Sequence, residues 1–372
     1  MPTISAAVLR ETGGPLRLEA LEQSAPGPRD VLVRTGAAGL CHTDLEVIRG
    51  SIAMPLPMVL GHELAGTVEA IGAAVTSVAV GDHVIASWNP ACGRCFHCSR
   101  GQPLLCSVCG LAAAAGSLPD GRWPLSDAEG PVRQFMFMGG HATHAVIPEA
   151  AAVPVAPALP FPIGAIIGCG VATGVIPALR SDVLDPVATA LVVGCGIVGL
   201  SAILGARLAG TGTVVAVDRD PARLALAARL GADVTVDVGV VDVGVEDALA
   251  RVRAVTGGRG ADHVFEAAGN GAAMRLAFEA TRVGGELTLL GKLANDDDLA
   301  LRWGSVAGNK TIRRLAYGGA RPDRDFPLLA DLYLAGRLDL DPLVDRQLPL
   351  ADIDAGFAAV ARGEVLRAVA IP

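Results

Sequence analysis

The sequence predicts an α/β protein in which a doubly wound parallel sheet sits between two stretches of a second, mostly-β part. Three observations predict it. From about Ala190, short apolar runs alternate with amphipathic stretches, the rhythm of a parallel sheet covered on both faces. Gly194-Cys195-Gly196-Ile197-Val198-Gly199 follows the first of those runs and opens the first helix. Roughly the first 160 residues read instead as short strands punctuated by Gly and Pro, and a mixed texture returns from about Ile312.

With 372 residues the chain has room for two domains and a sizeable core; 51% of it is hydrophobic and only 3% aromatic. A formal charge of −8 argues against nucleic acid or an anionic membrane as partner, since both call for a basic surface. Pro and Gly interrupt the apolar runs before any reaches membrane-spanning length. The opening Pro2-Thr3-Ile4-Ser5-Ala6 lacks the basic and apolar regions of a signal peptide. Cysteines in such a chain point to thiols held by metal rather than disulfides, and to the cytoplasm.

In chain order, Ala6 to Arg10 and Leu16 to Glu19 flank Gly13-Gly14-Pro15 as a hairpin. Val31 to Arg34, Gly66 to Gly72 and His83 to Ala86 read as further strands. In the alternating segment the strands are Ala190 to Val193, Val214 to Val217, Val264 to Phe265 and Leu287 to Leu290. Helices are expected near Pro221 to Leu230, Val245 to Val255, Phe326 to Leu334 and Ile353 to Arg362, with a closing strand at Val369.

The chemistry gathers on Cys41-His42-Thr43-Asp44 and Gly61-His62-Glu63, with Cys169 further on. Singly, each Cys or His there reads as an ordinary core or loop residue. Together Cys41, His62 and Cys169 offer two thiolates and one imidazole, a zinc ligand set that leaves one position open for water or substrate. Cys92, Cys95, Cys98 and Cys106 follow as C-x2-C-x2-C-x7-C and can close a tetrahedral structural zinc site. Iron–sulfur ligation is the alternative for four cysteines. His97 reads as a surface residue of this lobe, and Cys109 and Cys195 as free thiols.

In the glycine motif, Gly194 permits a tight turn, Gly196 lets the backbone approach a pyrophosphate, and Gly199 lets helix and strand pack closely. The helix opening at Ile197 and Val198 offers free N–H groups to phosphate. Asp218 ends the next strand, where a carboxylate can bind both ribose hydroxyls and repel a 2′-phosphate. NAD is therefore expected, although Arg219 next door leaves NADP open.

On these residues, with Gly66, Gly168-Cys169-Gly170-Val171-x-Thr173-Gly174 and Leu366-Arg367, the chain resembles the zinc-dependent alcohol dehydrogenases of the medium-chain dehydrogenase/reductase superfamily. The resemblance covers nearly the whole length. It implies a Rossmann sheet, residues 171–311, inserted into a GroES-like, mostly-β catalytic domain made of 1–170 and 312–372, with a zinc lobe at about 90–110. It implies two zinc ions per chain, the catalytic one on Cys41, His62 and Cys169, with Glu63 able to approach it and Asp44 behind His62. His42 and Arg367 would meet the NAD pyrophosphate and Arg223 the adenosine ribose, with Thr173 also at the cofactor. Thr43 would bridge the reacting oxygen and the nicotinamide ribose and carry the proton away. Glu46 stands where many relatives end that relay with a histidine, and Lys292 where an aliphatic residue is usual.

By the same resemblance Ile52, Trp88, Leu111 and Phe135 would face the substrate, none of them charged. The implied activity is reversible, NAD-linked oxidation of a primary alcohol, aromatic or medium-chain, by a homo-oligomer, dimer or tetramer. A thiol-adduct formaldehyde dehydrogenase is one alternative, against which the stretch from Ser107 to Ala112 carries no basic residue. A catalytically silent nucleotide-binding relative is another, against which Cys41, His62, Cys169 and Thr43 stand intact.

Overall fold

The eleven-residue strand Asp30–Leu40 is the spine of the first of two units. It pairs with Leu64–Ile71, with His144–Pro148 and, at its far end, with the C-terminal strand Ala368–Ile371. The computed structural model describes residues 2–239, 244–293 and 297–372. One unit comprises Met1–Cys169, Arg321–Gly336 and Leu340–Pro372, the other Gly170–Ala320 and Arg337–Asp339.

The first unit carries a seven-stranded mixed sheet and a small closed barrel. The barrel joins Thr3–Leu9, Leu16–Gln23, Leu125–Asp127, Gly130–Gln134 and Met58–Val59. Its inward residues Ile4, Ala6, Val8 and Leu21 are buried in one cluster, while Ala7 and Leu9 on the alternate face of the first strand are buried in another.

The second unit is one parallel sheet of six strands, ordered Val234–Asp237, Thr213–Asp218, Thr189–Val193, Ala261–Glu266, Thr281–Leu289 and Thr311–Arg314. This is the doubly wound order, with the chain-first strand in the middle. Thr189–Val193 is buried at every position, which is why it reads as an unbroken apolar run. The helix Pro221–Arg229 starts where Asp220 accepts a hydrogen bond from the Ala222 N–H at 2.8 Å. Pro221 takes the first position, where its missing N–H costs nothing.

Two expectations are corrected. The second unit does not end at 311: Thr311–Arg314 is the sixth strand, parallel to Thr281–Leu289, and the unit runs on to Ala320. Its polar Thr-Ile-Arg-Arg sequence hid a strand that only the neighbouring strand specifies. The short strand Val234–Asp237, half exposed at the opposite edge, is a further addition. Pro and Gly also fail to interrupt every apolar run. The helix Phe161–Leu179 is long and apolar enough to cross a membrane by length and composition, and most of it is buried in the protein. Its glycines serve packing: a Cβ on Gly174 would come within 2.1 Å of the Val198 carbonyl oxygen.

Candidate functional site

Where the long strand ends, Cys41 caps the helix His42–Arg49. Asp44, in the first turn of that helix, folds back, and its carboxylate accepts from the Cys41 N–H at 3.3 Å and from the Gly61 N–H at 2.9 Å. The same carboxylate stands 3.1 Å from His62 Nδ1. Gly61 has φ +97°, and a Cβ there would lie 2.6 Å from the His141 nitrogen, so this turn requires glycine. With Nδ1–H donating to Asp44, the lone pair of His62 is on Nε2, and Nε2 lies 3.6 Å from Cys169 Sγ. Cys169 sits in a one-turn π-helix, Ile167–Val171, a local widening that is common at functional sites.

The donor atoms of Cys41, His62, Glu63 and Cys169 all lie within 4.8 Å of one another. A sulfur at about 2.3 Å and a nitrogen at about 2.1 Å from one tetrahedral zinc stand roughly 3.6 Å apart, which matches the Cys169–His62 separation. Cys169 donates to Cys41 and, with the Arg367 guanidinium, holds the Cys41 thiol well below its ordinary pKa. That hydrogen bond, with burial, pushes Cys169 up. Burial opposes charge on His62, but Asp44 and Cys41 outweigh it and hold its pKa well above the usual range. Burial pushes Glu63 up to about 8 against the pull of Arg367. Thiols, imidazole and carboxylates gathered out of solvent are a donor set that zinc fits.

Arg367, expected at a pyrophosphate, also has partners within the first unit. It is buried, donates through Nη1 to the Leu40 carbonyl at 2.8 Å, and lies 3.3 Å from Glu63 Oε1. A guanidinium out of solvent needs such a counter-charge.

In the lobe, Cys92, Cys95, Cys98 and Cys106 gather in the same way. Cys95 Sγ and Cys106 Sγ are 3.9 Å apart. Two thiolates on one zinc stand roughly 3.8 Å apart. Backbone N–H donation from Cys98 brings the Cys95 thiol down to about 5. His97 turns Nδ1 to Gln102 Oε1 at 3.4 Å and is outside the donor set, as is Cys109, buried against it with its thiol pushed up by burial.

In the second unit the glycine turn joins Thr189–Val193 to the helix Ile197–Leu208. Gly194 has φ +95°, and a Cβ on Gly199 would lie 1.8 Å from the Gly194 carbonyl oxygen. A Cβ on Gly196 would meet nothing within 4 Å, so the backbone there borders open space. Asp218 is held by the Cys195 N–H at 2.6 Å and the Asp220 N–H at 2.9 Å. Arg223 is half-buried, 3.5 Å from Asp220, and Arg219 is exposed. Cys195 is buried, its thiol pushed up by burial. The turn and the fixed carboxylate fit a dinucleotide.

Residues 27–157 match the alcohol dehydrogenase GroES-like domain family, and residues 198–335 the zinc-binding dehydrogenase family. Over 370 residues, 98% of this chain and 97% of the relative, the chain is 37% identical to the geraniol dehydrogenase of Castellaniella defragrans. The chain belongs to the zinc-dependent alcohol dehydrogenases. This dehydrogenase is also 33% identical to a class-3 alcohol dehydrogenase of Cereibacter sphaeroides over 371 residues, 98% of this chain and 99% of that one. Among solved structures, benzyl alcohol dehydrogenase from Acinetobacter calcoaceticus superposes with a TM-score of 0.92 at 30% identity, covering 100% of this chain and 99% of that one. The two donor sets are thus a catalytic and a structural zinc site.

The residues expected to face the substrate differ in their surroundings. Phe135 is buried edge-on to His62, ring centroids 5.7 Å apart, and Ile52 packs against the same apolar cluster. Trp88 packs against a different cluster, around Val31 and Val68. Leu111 is 75% exposed, because the helix Ser107–Ala115 turns Cys109 and Ala112 inward instead. Thr43 and Glu46 are half-buried on their helix, Thr173 is half-buried, and His42 and Lys292 are exposed. Sequence reasoning missed His141. It is buried, with Nε2 3.1 Å from the Gly39 carbonyl, and it follows Gly140, whose N–H donates to the Gly61 carbonyl at 2.9 Å. The Gly139-Gly140 pair just before a histidine was its only signal.

Proposed function

We propose that this dehydrogenase oxidises primary alcohols, aromatic or medium-chain, to aldehydes with NAD, reversibly and in the cytosol. The observation that carries the reading is the convergence of the Cys41, His62 and Cys169 donors on one buried point beside the Phe135 ring. Zinc bound there supplies a Lewis acid for an alcohol or aldehyde oxygen. Cys41, His62 and Cys169 hold it, Asp44 fixes which His62 nitrogen faces it, and Glu63 stands by as a fourth donor. Thr43 takes the proton of the substrate hydroxyl and passes it toward Glu46 and water. His42, Thr173, Arg223 and the turn from Gly194 to Gly199 bind the cofactor, and Asp218 favours NAD by accepting from ribose hydroxyls.

Apolar neighbours at His62 suit an uncharged substrate, and the relatives named for geraniol and benzyl alcohol are named for primary alcohols. All eight cysteines are free, in keeping with a reducing compartment. Pairing of two identical chains through the exposed edge strand Thr311–Arg314 belongs to the same reading. The class-3 relative favours a second reading, oxidation of a thiol adduct of formaldehyde. A panel of benzyl, allylic and short-chain alcohols, with formaldehyde plus or minus glutathione, read at the NADH absorbance, separates them. Turnover with formaldehyde that requires glutathione and exceeds every alcohol would replace the first reading with the second.

A further inference from the structure

Three turns of the second unit meet around one buried carboxyl. Glu266 ends the strand Ala261–Glu266, beside Val193 on one side and Leu289 on the other. Its Oε1 accepts from the Ala268 N–H at 2.9 Å and the Gly269 N–H at 2.7 Å. Its main-chain carbonyl accepts from the Leu290 and Gly291 N–H groups at 2.8 and 2.9 Å. A Cβ on Gly194 would lie 2.6 Å from the Ala268 nitrogen, and one on Gly291 would lie 2.5 Å from Glu266 Oε2. The glycine turn and the turns after Glu266 and Leu289 therefore close over a side chain with no exposed surface.

Two N–H groups need only an acceptor, which the amide of a glutamine would supply. A buried acid adds a charge that the turn does not require. Burial pushes this carboxyl up to about 7, and Arg314 is the charge that pulls it down. Other titratable groups on the surrounding elements are engaged or turned away. Lys292 on the facing turn is exposed, and Cys195 on the glycine turn is a thiol pushed up by burial. On the helix Gly271–Ala280, Arg275 is exposed and Glu279 takes the Ser305 hydroxyl; on Ile197–Leu208, Arg207 pairs with Asp233. Along the strands Asp262 pairs with Arg282 and Glu286 with Arg313, and burial holds His263 neutral.

In this sheet the strand order reverses between Thr189–Val193 and Ala261–Glu266, the point where a dinucleotide crosses. With the adenosine ribose at Asp218 and the pyrophosphate at the glycine turn, the nicotinamide half falls to the side of Ala261–Glu266 and Thr281–Leu289. We propose that Glu266 selects the redox state of the cofactor, its carboxylate favouring the positively charged nicotinamide of NAD over the neutral ring of NADH. The proposal rests on the reading that the glycine turn and Asp218 bind NAD. Oxidised cofactor draws the carboxyl into its ionised form and releases its proton, and reduced cofactor does not. Hydride transfer removes the positive charge, so the product cofactor loses an attraction that the incoming cofactor had.

Calorimetric titration of NAD and of NADH into zinc-loaded enzyme, wild type and Glu266→Gln, tests it. Glutamine keeps an acceptor for the Ala268 and Gly269 N–H groups and cannot ionise. The ratio of wild-type to variant affinity for NAD should grow at least about threefold from about pH 6 to about pH 8, about tenfold being the limit for one group. The same ratio for NADH should stay constant. Taking ratios cancels every other group that titrates in that range. A NAD ratio that does not change with pH, or that changes alike for NAD and NADH, overturns the proposal and leaves Glu266 a purely structural role. Should Glu266→Gln fail to fold, Arg314→Gln removes the charge that pulls the carboxyl down. It should shift the rise in NAD affinity to higher pH, and an unmoved rise overturns the proposal. Failure of both cofactors to bind would instead overturn the cofactor reading, and this proposal with it.

Discussion

Arg367 Nη1 and Glu63 Oε1 stand 3.3 Å apart inside the first unit, both side chains out of solvent. The C-terminal strand thereby delivers a counter-charge to the residue beside a zinc ligand. Removing one member strands the other, at a cost of about 3–5 kcal/mol. Arg367→Leu is expected to lower the melting temperature of zinc-loaded enzyme by several degrees, and adding Glu63→Gln to recover part of the loss. Additive losses in the double variant would show that the two do not act as a pair.

The two donor sets predict two zinc ions per chain of unequal character. Chelation should first remove the one on Cys41, His62 and Cys169, abolishing turnover while the lobe stays folded. Removal of the second should unfold the segment that holds Cys92, Cys95, Cys98 and Cys106. Metal analysis alongside circular dichroism checks it; one zinc per chain, or iron with visible absorbance, contradicts it.

Glu266 predicts a dependence of stability on pH. Its Oε1 accepts from the Ala268 and Gly269 N–H groups at 2.9 and 2.7 Å, yet burial raises its pKa from 4.5 to about 7. Between those values the native carboxyl holds a proton that the unfolded chain has released. Stability therefore falls as pH rises through that window and levels off above it, by up to roughly 3 kcal/mol from this group. Glu266→Gln keeps an acceptor oxygen and cannot ionise. Its melting temperature should match wild type near about pH 5 and exceed it near about pH 8. A constant difference across that range contradicts the assignment.

Asp218 predicts cofactor choice. Asp218→Ser removes a ribose partner and a repulsive charge, so the KM for NAD should rise about tenfold or more while use of NADP improves. Wild-type enzyme that already prefers NADP would contradict this.

Thr43 and Glu46 predict the proton path. Thr43→Ala should slow single-turnover oxidation at least about a hundredfold, and Glu46→Gln less than about tenfold, because water can finish the relay. Glu46→His should add a pH dependence between about 6 and 8. The reverse order of losses would move the path off Thr43.

What the sequence disclosed and what it hid differ in kind. The buried strands around Thr189–Val193 and Thr213–Asp218, the four lobe cysteines and the glycine turn were legible because each is specified locally, by period or by spacing. The pairing of Arg367 with Glu63 was not, since each residue had a local reading that made no use of the other. Thr311–Arg314 looks like a polar loop until Thr281–Leu289 lies beside it. Leu111 was given a lining role by its family position alone, and its exposure, set by the rotation of its helix, could not be read from the sequence.

The antiparallel match of Ala368 to Leu40 has a consequence for how the enzyme is made. Cys41 and His62 leave the ribosome well before the strand and guanidinium beside them, since Arg367 and Leu40 are 327 residues apart. The lobe cysteines, by contrast, all lie between Cys92 and Cys106 and can capture metal as soon as that short stretch emerges. Loading during synthesis is thus expected to be ordered, the structural ion before the reactive one. Ribosome-bound chains stopped near Gly210 should carry one zinc, not two.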